Sequence, residues 1–111
     1  MLIYRESSIS IGRLLMNLKE LNFKELALCF KALGDETRVK IVEMLKNGKL
    51  CANEILENFK ITQPTLSYHM KMLVECGIIS YEKKGLWNYY TLNIEKMNWL
   101  SQYLNIFLRH I

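Results

Sequence analysis

Between Gln63 and Cys76 the sequence reads QPTLSYHMKMLVEC, and Leu66, Met70 and Leu73 recur at the spacing of one face of a helix. Thr62 offers an N-cap oxygen, and Pro64 falls in the first turn, where a missing N–H costs nothing. Gly77 supplies the left-handed residue that stops such a helix. The pattern then changes period. Ile78, Ile79 and Tyr81 predict a strand, Lys83-Lys84-Gly85 a turn, and Trp87 to Leu92 a returning strand.

Upstream, apolar residues at Leu14, Leu15, Leu18 and Leu21, then at Leu26, Phe30 and Leu33, predict two helices or one bent helix from about Ile11 to Leu33. Gly12 and the Asn22 region are the two places where it could break. Asp35 predicts an N-cap for a helix over Glu36–Lys46 with a core face of Val39, Val42 and Leu45, Ile41 beside it, and an end at Asn47-Gly48. A short helix follows at roughly Cys51–Asn58, burying Ile55, Leu56 and nearby Phe59, and its turn into Thr62 completes a helix-turn-helix.

At the other end, Met97, Leu100, Leu104, Phe107 and Ile111 form a heptad-like seam, with Trp99, Tyr103 and Ile106 as a second apolar face. Such a helix either wedges into its own core or pairs with a second copy, with Leu14–Leu21 completing the contact. The second reading is preferred. The expected fold is mostly α with a small β-hairpin: a winged helix-turn-helix that dimerises through its N- and C-terminal helices. Residues 1–111 form one domain in this reading. Within it, 1–25 and 94–111 serve dimerisation, 50–76 the helix-turn-helix and 78–92 the wing.

Composition narrows the role only slightly. Half of the 111 residues are hydrophobic, which argues for a folded core and against disorder. No apolar run reaches the ~20 residues of a membrane span, and Arg5 and Glu6 interrupt the apolar N-terminal stretch, so a cytoplasmic chain is expected. Net charge is +4 and only mildly concentrated, with residues 60–92 two units positive. That suits a polyanionic partner without requiring one. Cys29, Cys51 and Cys76 are an odd set, which fits reduced thiols better than disulfides.

A helix followed directly by a wing is an arrangement that sets a helix into the DNA major groove. On a wheel of ~100° per residue, Tyr68 and Lys71 lie opposite the Leu66–Met70–Leu73 stripe, with Thr65 beside them and Gln63 in the first turn. Gln63, Thr65, Ser67 and Tyr68 thus present an amide, hydroxyls and a phenol to base edges or phosphates. Lys83 and Lys84 at the wing would reach backbone phosphates or the minor groove. His69, at the edge of the stripe, is either a packed neutral imidazole or a phosphate donor. Trp87, Tyr89 and Tyr90 read as structural, with alternation sending Tyr89 and Tyr90 to opposite faces.

Three segments resemble the arsenic-repressor type (ArsR/SmtB) of winged-helix transcription repressors: FKALGDETRVKIVEML, TQPTLSYHMKMLVECGII and YEKKGLWNYYTLN, together covering most of residues 26–93. The resemblance implies a homodimer on an inverted-repeat operator in double-stranded DNA, released by an effector that is often a metal ion. Gln63, Thr65, Ser67, Tyr68 and His69 match the family's recognition segment, and Lys83, Lys84 and Gly85 its wing tip. Tyr68 departs from the arginine often found between that serine and histidine. The effector pattern is incomplete. Where arsenic, lead and cadmium sensors carry Cys-x-Cys, the chain has Leu50-Cys51-Ala52-Asn53, so Cys51 is a weak metal candidate that needs Cys29, Cys76 or a second subunit. The terminal helix offers only Glu95, Asn105 and His110 in place of the zinc pattern. A redox response of the thiols is the other effector expectation.

Two other classes compete with a regulator. The apolar terminal helix and modest charge would also suit a winged-helix protein-interaction module that ignores DNA. An enzyme is disfavoured, because Cys51 and His69 lack a neighbouring oxyanion element or orienting acid.

Overall fold

A computed structural model describes residues 22–108, except the side chains of Ile106 and Phe107. The expectations for residues 1–21 and for Phe107, Ile106, His110 and Ile111 lie outside what is described. Helix α1 spans Phe23–Leu33, and Asn22 is its N-cap, accepting from the Glu25 N–H at 3.0 Å. Of the two possible break points, the helix therefore begins at Asn22. Leu26, Cys29 and Ala32 face inward, while Phe30 is 40% exposed.

Helix α2 spans Glu36–Leu45 and starts, as read, with the Asp35 carboxylate accepting from the Arg38 N–H at 3.1 Å. Its buried face differs from the expected one. Arg38, Ile41 and Leu45 point inward, and Val39 is 49% exposed. The expectation followed apolar identity and passed over an arginine. The true stripe runs through that arginine, because its guanidinium finds carbonyl partners inside (below).

Strand β1 (Leu50–Cys51) leads into a short helix α3 (Ala52–Leu56), which stops before the expected Asn58. Helix α4 spans Gln63–Glu75 with Thr62 as N-cap, and Gly77 after it has φ +83°. Strands β2 (Ile79–Lys84) and β3 (Trp87–Leu92) form the hairpin, with Lys84 opposite Trp87. The turn is thus Gly85-Leu86 rather than Lys83-Lys84-Gly85. Gly85 at φ +62° occupies the first loop position, where a II′ turn needs positive φ.

The expected two-stranded wing is in fact part of a three-stranded antiparallel sheet of order β1-β3-β2. Leu50 pairs with Tyr90 and Cys51 with Tyr89, so the returning strand is bonded to the head of the helix-turn-helix. Two residues of strand carry no periodicity to read, so this pairing is invisible in the pattern.

Helix α5 spans Ile94–Leu108. Its Leu100 is buried in the core, with Met97, Trp99 and Tyr103 packed beside it. The Lys96 ammonium pairs with Glu25 and sits 4.4 Å from the Trp99 ring centre, tying α5 to α1. Farther along, Leu104 and Leu108 are 48% and 64% exposed. No described helix is long and apolar enough to cross a membrane.

Candidate nucleic-acid interface

Helix α4 is held from one side only. Leu66, Met70 and Leu73 are almost fully buried, each contributing about 2 kcal/mol by area removed from water. The cap adds about 1 kcal/mol, so packing dominates. Thr62 Oγ1 accepts from the Thr65 N–H at 3.3 Å and donates to the Thr65 hydroxyl at 2.9 Å. Thr65 keeps its own O–H for an outside acceptor. Gln63, Thr65, Ser67, Tyr68 and Lys71 are all exposed, Tyr68 at 58%.

Gln63 and Ser67 line a shallow cleft with Asn53 of α3 and Asn88 of β3. Sequence reading passed over these two asparagines, of which Asn88 accepts from the Tyr81 hydroxyl at 2.8 Å. Only the β1–β3 pairing brings them there, so no local signal could have found them. Lys71 lies 3.8 Å from Glu75 and Lys84 3.7 Å from Glu82, all exposed. Exposed pairs of this kind contribute little, so both lysines can exchange carboxylate for phosphate. Lys83 stands exposed on β2 beside them.

His69 is placed apart from the other candidates. Its side chain is 12% exposed, and its Nδ1 lies 3.0 Å from an Arg38 guanidinium nitrogen and 3.8 Å from Asp35. The Arg38 Nε donates to the Ala32 carbonyl at 2.6 Å, and a second guanidinium nitrogen reaches the Lys31 carbonyl at 3.5 Å. These carbonyls belong to the last turn of α1, where helix geometry leaves acceptors without partners and a partial negative charge. The Arg38 N–H beside Asp35 holds its carboxyl below the usual value, helped by the charge of Arg38.

The aromatic residues of β3 divide. Tyr89 lies under the Lys49 ammonium at 5.1 Å, while Tyr90 packs on the core and meets the Tyr81 ring at 5.5 Å. They take opposite faces as alternation requires. Burial, then the neighbouring Tyr81, pushes the Tyr90 phenol up. Trp87, expected to pack the wing onto the helices, is instead 51% exposed, and Leu86 at the tip is 95% exposed. The reason is the shifted turn: both residues sit at the far end of the ribbon, beyond reach of the helices.

The thiols do not fit a soft-metal centre. The Cys29 thiol donates to the Cys76 carbonyl at 3.4 Å and the Cys76 thiol to the Leu73 carbonyl at 3.3 Å. Burial, with Cys76 alongside, pushes Cys29 up to about 11, so its thiol does not act readily as thiolate. Cys51 is buried at the head of α3, where its N–H donates to Glu54 at 2.9 Å. Among the described residues no three His, Cys, Asp or Glu side chains gather into a site that could hold a metal ion.

Residues 35–81 match the model of the bacterial regulatory protein arsR family. The chain is 41% identical over 86 residues to the arsenical resistance operon repressor of Staphylococcus xylosus, spanning 78% of this chain and 83% of that one. It is also 39% identical over 80 residues to the transcriptional repressor SdpR of Bacillus subtilis (strain 168), spanning 68% and 89%. Among solved structures it is similar to an ArsR-like transcriptional regulator from Rhodococcus sp. RHA1, with TM-score 0.69 and 26% identity over 77% of this chain and 80% of that one.

Proposed function

From a chain that belongs to the arsR family of bacterial regulatory proteins, a DNA-binding transcriptional regulator and not an enzyme, we propose the following operator contacts. Helix α4 enters the major groove with Gln63, Thr65, Ser67 and Tyr68 toward base edges and Lys71 toward a phosphate. Lys83 and Lys84 lie along the backbone, and Leu86 meets the sugar walls of the minor groove as an apolar tip. Asn53 and Asn88 border the same surface. The protein works in the cytoplasm, where its DNA is.

The observation that carries this reading is the one-sided burial of α4. Its apolar stripe is sealed, and its capped N-terminal end is exposed beside a lysine-bearing ribbon. A second copy completes the regulator. Phe23, Leu28 and Phe30 of α1 and Leu104 and Leu108 of α5 leave an apolar surface open to water. Residues 1–25 and 94–111 supply that interface, and the two α4 helices read an inverted repeat. Release from DNA by a small effector fits this architecture. The burial of all three thiols, with Cys29 held protonated, favours an effector other than a three-thiolate metal.

Affinity for the promoter DNA of the protein's own gene, measured across a salt series, tests the reading. Phosphate contacts make binding fall steeply as salt rises. Binding that ignores salt, or a folded dimer that ignores DNA, would favour a protein-interaction module. Titrating the complex with zinc, cadmium, arsenite and a thiol oxidant assigns the effector class.

A further inference from the structure

We propose that Arg38, a buried residue of α2, positions the DNA-reading face of α4 by donating to a neutral His69 and thereby fixing Tyr68. The inference rests on the operator reading above. Arg38 is the one charged side chain buried among the described residues. Two of its donors end on the α1 carbonyls of Ala32 and Lys31, where the helix end carries a partial negative charge. The third crosses to another element, reaching His69 Nδ1 on α4 at 3.0 Å. The His69 ring lies 5.7 Å from the Tyr68 ring, which projects into solvent on the face assigned to base contact. A continuous set of contacts thus runs from the end of α1 through α2 to the exposed phenol.

The chemistry fixes the proton. A guanidinium can only donate, so Nδ1 must accept and the imidazole hydrogen must sit on Nε2. A protonated His69 has no lone pair for Arg38 and would meet it as a like charge. The charged groups facing His69 are Arg38 and Asp35 of the α2 end, with the Tyr68 phenol beside it on α4. The Asp35 carboxylate at 3.8 Å is beyond hydrogen-bond reach. Protonation therefore favours a turn of the ring from Arg38 toward Asp35, carrying Tyr68 with it. The arrangement makes sequence-specific binding depend on a neutral His69. A phosphate-donating histidine would show the opposite dependence.

The test uses the full-length protein and its upstream DNA, with affinity measured from pH 8 to 5.5 at constant ionic strength. Affinity is expected to fall at least about tenfold between the two ends of that range, because a proton on His69 removes the acceptor for Arg38. His69→Leu, which removes the acceptor, is expected to weaken binding at pH 8 about tenfold. His69→Asn, whose Oδ1 stands close to the Nδ1 position, should recover most of that loss and give a flat pH profile. Arg38→Gln, checked for folding by circular dichroism, should weaken binding and flatten the profile too. If that variant does not fold, imidazole nitrogen NMR of the wild type carries the test, with the Nε2–H tautomer expected. An Nδ1–H tautomer, a flat wild-type profile, affinity that rises in acid, or an unaltered slope in His69→Asn would each overturn the inference. No binding at pH 8 would overturn the operator reading and this inference with it. Binding at pH 8 with a flat wild-type profile would overturn this inference alone.

Discussion

Two exposed surfaces of this protein are built on opposite terms. On α4 the exposed residues are polar, the backbone is capped at Thr62, and a buried stripe fixes how far the helix rotates. On α1 and α5 the exposed residues are Phe23, Leu28, Phe30, Leu104 and Leu108, and the ends of both elements run toward residues outside the described range. The first surface is complete within one chain and, in the proposed docking, meets a hydrated, charged partner. The second is unfinished, because apolar area on this scale is stable only when covered. Specificity and assembly are thus separated in the fold, and each can be damaged without the other.

The most damaging change should be to the apolar surface. Leu104→Glu with Leu108→Glu is expected to convert a dimer to a monomer in sedimentation. It should also cut operator affinity about a hundredfold or more, as two exposed apolar anchors and one half-site are lost. A dimer that persists would place the assembly surface elsewhere. Next is Tyr68→Ala, expected to cost about 1–3 kcal/mol of discrimination at one base position while non-specific affinity is kept. It is measured as binding across single-base operator variants, and a uniform loss at every position would remove Tyr68 from base reading.

Lys83→Ala with Lys84→Ala removes two lysines from each copy and should lower the slope of log affinity against log salt by about three to four in the dimer. An unchanged slope would detach the wing from the phosphates. The smallest effect concerns the frame under the DNA-reading face. Asp35→Ala removes the α2 cap and should cost about 1 kcal/mol in urea unfolding. Because the folded Asp35 carboxyl titrates below its ordinary 3.8, its contribution is present above that value and lost as pH falls through the lowered one. Asp35→Asn, still a cap, should lose that acid dependence. Equal acid sensitivity in both proteins would assign it to other carboxylates.

Much of this was legible because it is local. Caps at Asp35 and Thr62, the stop at Gly77 and the stripe of α4 depend on residues within a few positions of one another. What stayed hidden depends on distant partners. The inward place of Arg38 was not legible because its carbonyl acceptors lie on another helix, and Val39 stood in the expected core instead. The strand at Leu50–Cys51 exists only through Tyr89 and Tyr90. His69 was open between two roles because its neighbour is 31 residues away in sequence. The candidate DNA contacts on α4 followed from the wheel alone, whereas Asn53, Asn88 and the outlying Leu86 needed the assembled sheet.

The bonding of β1 to β3 has one more consequence. It gears the hairpin to the body at the root of α3, so the span from the lysine-bearing strand to the first turn of α4 is a fixed length, like the gap of a caliper. In the proposed docking, the number of base pairs between a major-groove contact and the adjoining backbone grip would be set by the protein, and operators would have to conform to it.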